Sequence, residues 1–132
     1  MGSSGSYLKS GGFSSQEWEQ VGTINGVKVL KKIGTKKGTK GNLPFYSNTP
    51  GTAYILLNSD GTFSQFRQYG EDRMPEFDID YGRHDSDKPY LHMHTYNGKA
   101  RSKPTPITNE DGDIINKDLY EKYKGFLKGI KL

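Results

Sequence analysis

The chain has 132 residues, is only 31% apolar, and carries nine Tyr, six Phe and no Cys. That length fits one domain able to bury its own core, and the missing Cys excludes disulfides and thiolate metal sites. No run of about 18 apolar residues occurs, so no membrane-spanning helix is expected, and the N-terminus shows no signal-peptide core.

The net charge of +4 is unevenly spread. Six lysines and no acid lie between Lys28 and Lys40, seven acids face three cations between Glu71 and Lys88, and five lysines face two acids from Lys117 to Lys131. Basic flanks around an acidic middle suit a polyanion steered toward a central site. Lysines that only solvate the surface would give the same counts.

Residues 1–15 open MGSSGSYLKSGG and read as a disordered tag or linker, leaving residues 16–132 as a single α+β domain. A short helix near Ser14–Glu19, capped by Ser14 or Ser15, is one expectation. Glu19–Ile24 and Val27–Ile33 read as strands joined by Asn25-Gly26, the strongest short hairpin signal. Gly34–Gly41 (GTKKGTKG) reads as a mobile lysine loop, with Lys36 and Lys37 placed to touch a polyanion. Asn42–Gly51 reads as an ordered connector restricted by Pro44 and Pro50. Thr52–Asn58 is the most apolar strand, and Asp60-Gly61 turns it into Thr62–Tyr69. Glu76–Tyr81 and Tyr90–Tyr96 follow as strands, separated by the charged loop Gly82–Pro89. Asn97-Gly98 turns the chain toward Lys99–Ser102. A Pro/Thr segment, Pro104–Thr108, and the polar turn NEDGD come next. Leu119, Tyr123, Phe126 and Ile130 form one stripe of a C-terminal helix over 117–130, capped by Asn116 or Thr108. Gly125 and Gly129 weaken that helix, so packing must hold it. The fold class expected is α+β: a twisted antiparallel β-meander with the C-terminal helix packed on one face.

The sharpest chemistry lies in FDIDYGRHDSDKPYLHMHTY (Phe77–Tyr96), which holds all three histidines. Alternate residues of a strand share a face. Phe77, Ile79 and Tyr81, with Leu91 and Met93, then turn toward a core. Asp78, Asp80, His92, His94 and Tyr96 turn the other way, onto a common exposed face. Two imidazoles roughly 6.5–7 Å apart along a strand can flank a phosphate, one taking a proton and one giving it. They can equally share a metal ion with Asp78 and Asp80, or be an exposed pair without a role. His84, at the loop mouth, is a second proton-transfer candidate, and Arg83 beside it can clamp a phosphate. Arg101 and Lys103 can stabilise a phosphorane, and Tyr96 can stack on a base. No zinc-finger, HExxH, GxSxG, kinase, P-loop or Rossmann pattern occurs.

From YILLNSDGTFSQFRQYG through FDIDYGRH and YLHMH to NKDLYEKYKGFLKG, the chain resembles C-terminal toxin domains of bacterial polymorphic toxins. The resemblance spans about residues 42–130, and its most specific pieces are Asp78–His84 and His92-x-His94. It implies a secreted or delivered effector, often a nuclease, that an acidic immunity protein neutralises in the producing cell. Similar modules occur in prophage-borne proteins.

The leading expectation is therefore a monomeric ribonuclease that needs no metal or other cofactor and no membrane. His92, His94 and His84 would move protons, with Asp80 orienting a ring. Arg83 would act with them in catalysis by stabilising the phosphorane, and Arg101, Lys103, Tyr96, Lys36 and Lys37 would hold RNA. The alternatives are a metal-dependent nuclease or phosphodiesterase using the Asp/His face, and a non-enzymatic prophage interaction domain.

Overall fold

The computed structural model describes residues 18–32 and 43–127. The expected leader at 1–15, the lysine loop with Lys36 and Lys37, and the end of the C-terminal helix lie outside the described residues.

The strands are β1 (Trp18–Ile24), β2 (Val27–Lys32), β3 (Ala53–Leu57), β4 (Phe63–Tyr69), β5 (Pro75–Gly82), β6 (Tyr90–Asn97), β7 (Ala100–Arg101) and β8 (Thr105–Pro106). They form one sheet in the order β1-β2-β3-β4-β5-β6-β7, with β8 also pairing to β6. Helix α1 (Lys117–Tyr123) and a 3₁₀ turn (Lys124–Phe126) follow. The α+β fold, a largely antiparallel meander with a C-terminal helix, is the one the sequence implied. Trp18 and Glu19 open β1 rather than close a helix, because Trp18 is needed in the core, where it is 1% exposed.

Turn chemistry explains most of the pairing. Asn25 and Gly26 both take positive φ, 49° and 80°, as a two-residue hairpin turn requires. One junction departs from a pure meander: β2 and β3 are parallel. Parallel neighbours need a long crossover, and residues 33–52 provide it where a tight turn would have forced an antiparallel pair.

The sheet is covered on both faces, by different chemistry. One face carries Ile55, Phe66, Ile79 and Leu91, against which Leu119, Tyr123 and Phe126 pack. The Phe126 ring lies 4.9 Å from that of Phe66, and Tyr123 lies 5.2 Å from Phe77. An isolated seven-residue helix would not persist in water, so this contact holds α1. Asn116 starts the helix by accepting the Leu119 amide at 3.1 Å, a cap worth about 1 kcal/mol.

The α-helix stops at Tyr123 rather than running to residue 130. The turn that follows brings the Gly125 carbonyl to Asn25 Nδ2, 3.2 Å away. A Cβ at Gly125 would stand 3.1 Å from that same nitrogen, so the glycine that weakens the helix also permits its docking on the first hairpin. Thr108 is no cap: its hydroxyl accepts the Leu91 amide at 3.0 Å.

The other face holds Trp18, Leu30, Leu43, Tyr54, Leu56 and Tyr69. Segment 43–51 covers part of it, tied by Ser47 N to the Arg73 carbonyl at 2.9 Å. The Asp and His side chains of β5 and β6 lie on this second face, away from the helix. Among the described residues no helix is long and apolar enough to cross a membrane.

Candidate functional site

The register of β5 against β6 pairs Asp78 with His94 and Asp80 with His92. All four therefore share a face, as strand alternation implied. The face is not exposed, however. His92 is 3% and His94 1% exposed, and Asp78 is fully buried. β8 pairs alongside β6, the loop after β5 brings His84 over the two rings, and together these cover what alternation alone would leave open.

The two aspartates have separate fates. Asp78 accepts Arg67 Nε at 2.6 Å and Nη2 at 3.0 Å. Tyr96 Oη donates to it as well, at 2.6 Å. Arg67 also donates to the carbonyls of Leu43 and Pro44, at 3.3 and 3.1 Å. Burial opposes the Arg67 charge, but the Asp78 hydrogen bonds and charge outweigh it and hold the guanidinium protonated. Burial and the Asp78 bond push the Tyr96 phenol up to about 12. Asp78 is thus consumed by a structural network and is not a metal or proton-transfer candidate. The Tyr96 hydroxyl is spent in the same network.

Asp80 is left without a cation of its own. Its Oδ1 is buried with no hydrogen-bond partner. Burial first, then the Asp78 charge, raises its carboxyl to about 7, against a smaller opposing pull from Gln65, Arg67 and Arg101. His94 Nε2, the nearest imidazole nitrogen, is 3.9 Å from Asp80 Oδ2, beyond hydrogen-bond reach.

Each β6 imidazole is pinned from behind. His92 Nδ1 stands 3.0 Å from the Tyr90 carbonyl, and His94 Nδ1 stands 2.9 Å from the Ser102 carbonyl. A carbonyl only accepts, so Nδ1 carries the proton, and in a neutral ring Nε2 then keeps its lone pair. Burial lowers both pKa values and favours that neutral form. His94 Nε2 is buried and has no partner.

His84 completes the group. Its ring centroid is 5.1 Å from His94 and 5.7 Å from His92, and those two are 5.0 Å apart. Asp85, in the left-handed region at φ 55°, shapes the loop. Tyr90 Oη donates to the His84 carbonyl at 3.0 Å and ties the loop to β6. The Asp85 carboxylate lies 3.4 Å from His84 Nδ1, in a geometry that leaves the nitrogen without a hydrogen bond.

Two cavities flank the centre. One of about 390 Å³ is lined by Phe45, Gln65, Arg67, Asp80, Tyr81 and Arg101. Another of about 290 Å³ lies on the His84 side, with Ser86, Tyr90 and Thr108 among its walls. Of the cations proposed from sequence that fall among the described residues, Arg101 alone lines either cavity. Arg83 and Lys103 are exposed and line neither.

Arg67 and Gln65 carry no motif that the sequence reading uses. Arg67 carried a readable signal, since Gln65 and Arg67 alternate in FSQFRQY and pair across from Asp80 and Asp78. Seeing it requires the β4–β5 register, which a β-bulge between Gln68 and Tyr69 adjusts.

Asp80 makes the site costly to fold. A carboxyl whose pKa is higher in the folded than in the unfolded chain is not penalised while both states are protonated. It loses stability as pH rises from its unfolded value through about 7. In chelator, Asp80→Asn should therefore melt several degrees higher than the parent at pH 8, and the gain should vanish near pH 4. Equal melting temperatures at pH 8 would show that Asp80 carries no buried-charge penalty.

Comparison with protein-family models, curated proteins and solved structures finds no match to the chain.

Proposed function

We propose that the chain is a toxin-type ribonuclease that cleaves RNA at the centre formed by Asp80, His84, His92 and His94. The observation that carries the reading is convergence. Two imidazoles tied by Nδ1 to backbone carbonyls, a carboxylate with one unpartnered buried oxygen and a third imidazole meet between two cavities, one of them rimmed by arginine. Evolution rarely tolerates such unpaired buried groups for stability, and perturbed titratable clusters beside cavities mark chemistry. A flat docking surface would not need them.

The residues fall into roles by position. The buried group Asp80/His92/His94 activates the ribose 2′-oxygen for attack on phosphorus. His84, less enclosed at the loop mouth, protonates the departing 5′-oxygen. Arg101 stabilises charge on the phosphoryl oxygens. Phe45 lines the adjoining cavity, where a base can stack. The product is a 2′,3′-cyclic phosphate and a free 5′-hydroxyl. The resemblance to polymorphic-toxin domains extends the reading to a delivered effector held in check by an acidic immunity protein.

Purified chain incubated with end-labelled RNA and with DNA of the same sequence tests this. RNA should be cut to cyclic-phosphate ends, and DNA should survive because it lacks the 2′-hydroxyl. RNA left intact both in EDTA and with added Zn²⁺ or Mn²⁺ would end the ribonuclease reading.

A further inference from the structure

The hydrogen bonds behind His92 and His94 decide what lies in front of them. With both Nδ1–H groups given to backbone carbonyls, both rings are fixed in orientation and tautomer. That is the outer-shell arrangement that metal-ligating histidines have. One donor atom from each of Asp80, His92 and His94 lies within 4.8 Å of the others, and among the described residues this is the group so placed.

Their separation suits an ion between them. Donors at about 2.0–2.2 Å from a tetrahedral ion are roughly 3.4 Å apart. Asp80 Oδ2 and His94 Nε2 are 3.9 Å apart, so a small side-chain rotation closes the difference. Their present spacing is too long for a hydrogen bond. His94 Nε2 and Asp80 Oδ1 are both buried and unpartnered, and a buried polar atom left unpaired destabilises the fold. His94, 1% exposed, cannot recover that from water. A cation held between His94 Nε2 and Asp80 Oδ2 gives the imidazole the partner it lacks.

We propose that Asp80, His92 and His94 bind one divalent transition-metal ion. Two imidazoles and one carboxylate suit Zn²⁺, Mn²⁺ or Co²⁺ rather than Mg²⁺ or Ca²⁺, which take oxygen ligands. Three protein donors leave a position for a water or substrate oxygen, the pattern of a catalytic rather than a structural site. Asp80 lines the cavity that Arg101 rims, so that position is within reach of a bound phosphodiester. Asp78 takes no part, because Arg67 and Tyr96 hold both its oxygens. The inference rests on the centre proposed for RNA cleavage and deepens it: the ion is what activates the attacking oxygen.

The test reads metal without RNA. The chain is stripped with EDTA, dialysed and titrated with Zn²⁺ by calorimetry, and with Co²⁺ by visible absorption. One Zn²⁺ per chain, a Co²⁺ d–d band and a higher melting temperature with Zn²⁺ are expected. Asp80→Ala, which removes a buried charge and so should still fold, and His94→Gln should each weaken Zn²⁺ binding on the order of 100-fold or more. No stoichiometric Zn²⁺ on the parent chain, or unchanged affinity in both variants, overturns the proposal. If RNA is cut undiminished in EDTA by a chain that binds no Zn²⁺, the metal proposal falls and the ribonuclease stands. If Zn²⁺ binds as expected and RNA stays intact, the metal site stands and the ribonuclease falls.

Discussion

Asp78→Ala should cost more stability than any other single removal of charge in the described part of the molecule. Asp78 is fully buried and accepts two hydrogen bonds from Arg67 and one from Tyr96. Without it, the Arg67 guanidinium, 8% exposed, keeps the Leu43 and Pro44 carbonyls but loses its counter-charge. Breaking a buried pair by deleting one partner costs about 3–5 kcal/mol. For a domain of this size that lowers the melting temperature by about 10 °C or more. The loss should spread to segment 43–51, which Arg67 and Tyr69 both hold through the Pro44 carbonyl. Replacing both partners, as Arg67→Met with Asp78→Leu, removes the stranded charge and should recover much of the loss. Thermal denaturation followed by circular dichroism decides it. An Asp78→Ala chain as stable as the parent would mean that the network carries little of the fold.

The same network explains which parts of the site were legible in the sequence. Strand alternation placed Asp78, Asp80, His92, His94 and Tyr96 on one face, and Asn25-Gly26 fixed the first hairpin, because both depend on local geometry. What alternation could not assign was the partner of each aspartate. That choice depends on β4, whose Arg67 reaches Asp78 and whose Gln65 stands opposite Asp80. Two carboxylates two residues apart look equivalent in sequence, yet one becomes half of a buried ion pair and the other keeps a buried oxygen without a hydrogen-bond partner. The burial of His92 and His94 is equally non-local. The cover on His92 and His94 comes from β8, the Ser102 carbonyl and the His84 loop, none of which has a hydrophobic signature. The helix length was misread because Gly125 appeared only as a weak helix residue, whereas its missing Cβ makes room for Asn25.

His94→Gln should abolish most RNA cleavage while leaving the fold standing. The substitution keeps a polar side chain of similar reach, and the lost ring gives up one backbone hydrogen bond, at 2.9 Å to Ser102. A net bond of that kind is worth about 0.5–1.5 kcal/mol, so the melting temperature should shift by only a few degrees. Activity should respond on another scale. The free Nε2 of His94 is the most enclosed donor in the centre, and removing a positioned proton-transfer group or ligand there costs about 10²–10⁴-fold in rate. Lys103→Ala supplies the contrast. Lys103 is exposed and outside both cavities, so its loss should change the rate by less than about threefold and act mainly through the salt dependence of RNA binding. Single-turnover cleavage of a labelled RNA, with melting curves on the same preparations, separates the two effects. Should His94→Gln cut RNA at the parental rate, the Asp80/His92/His94 group is not where the chemistry happens. Should Lys103→Ala lose as much as His94→Gln, substrate contact outside the two cavities matters as much as the buried centre.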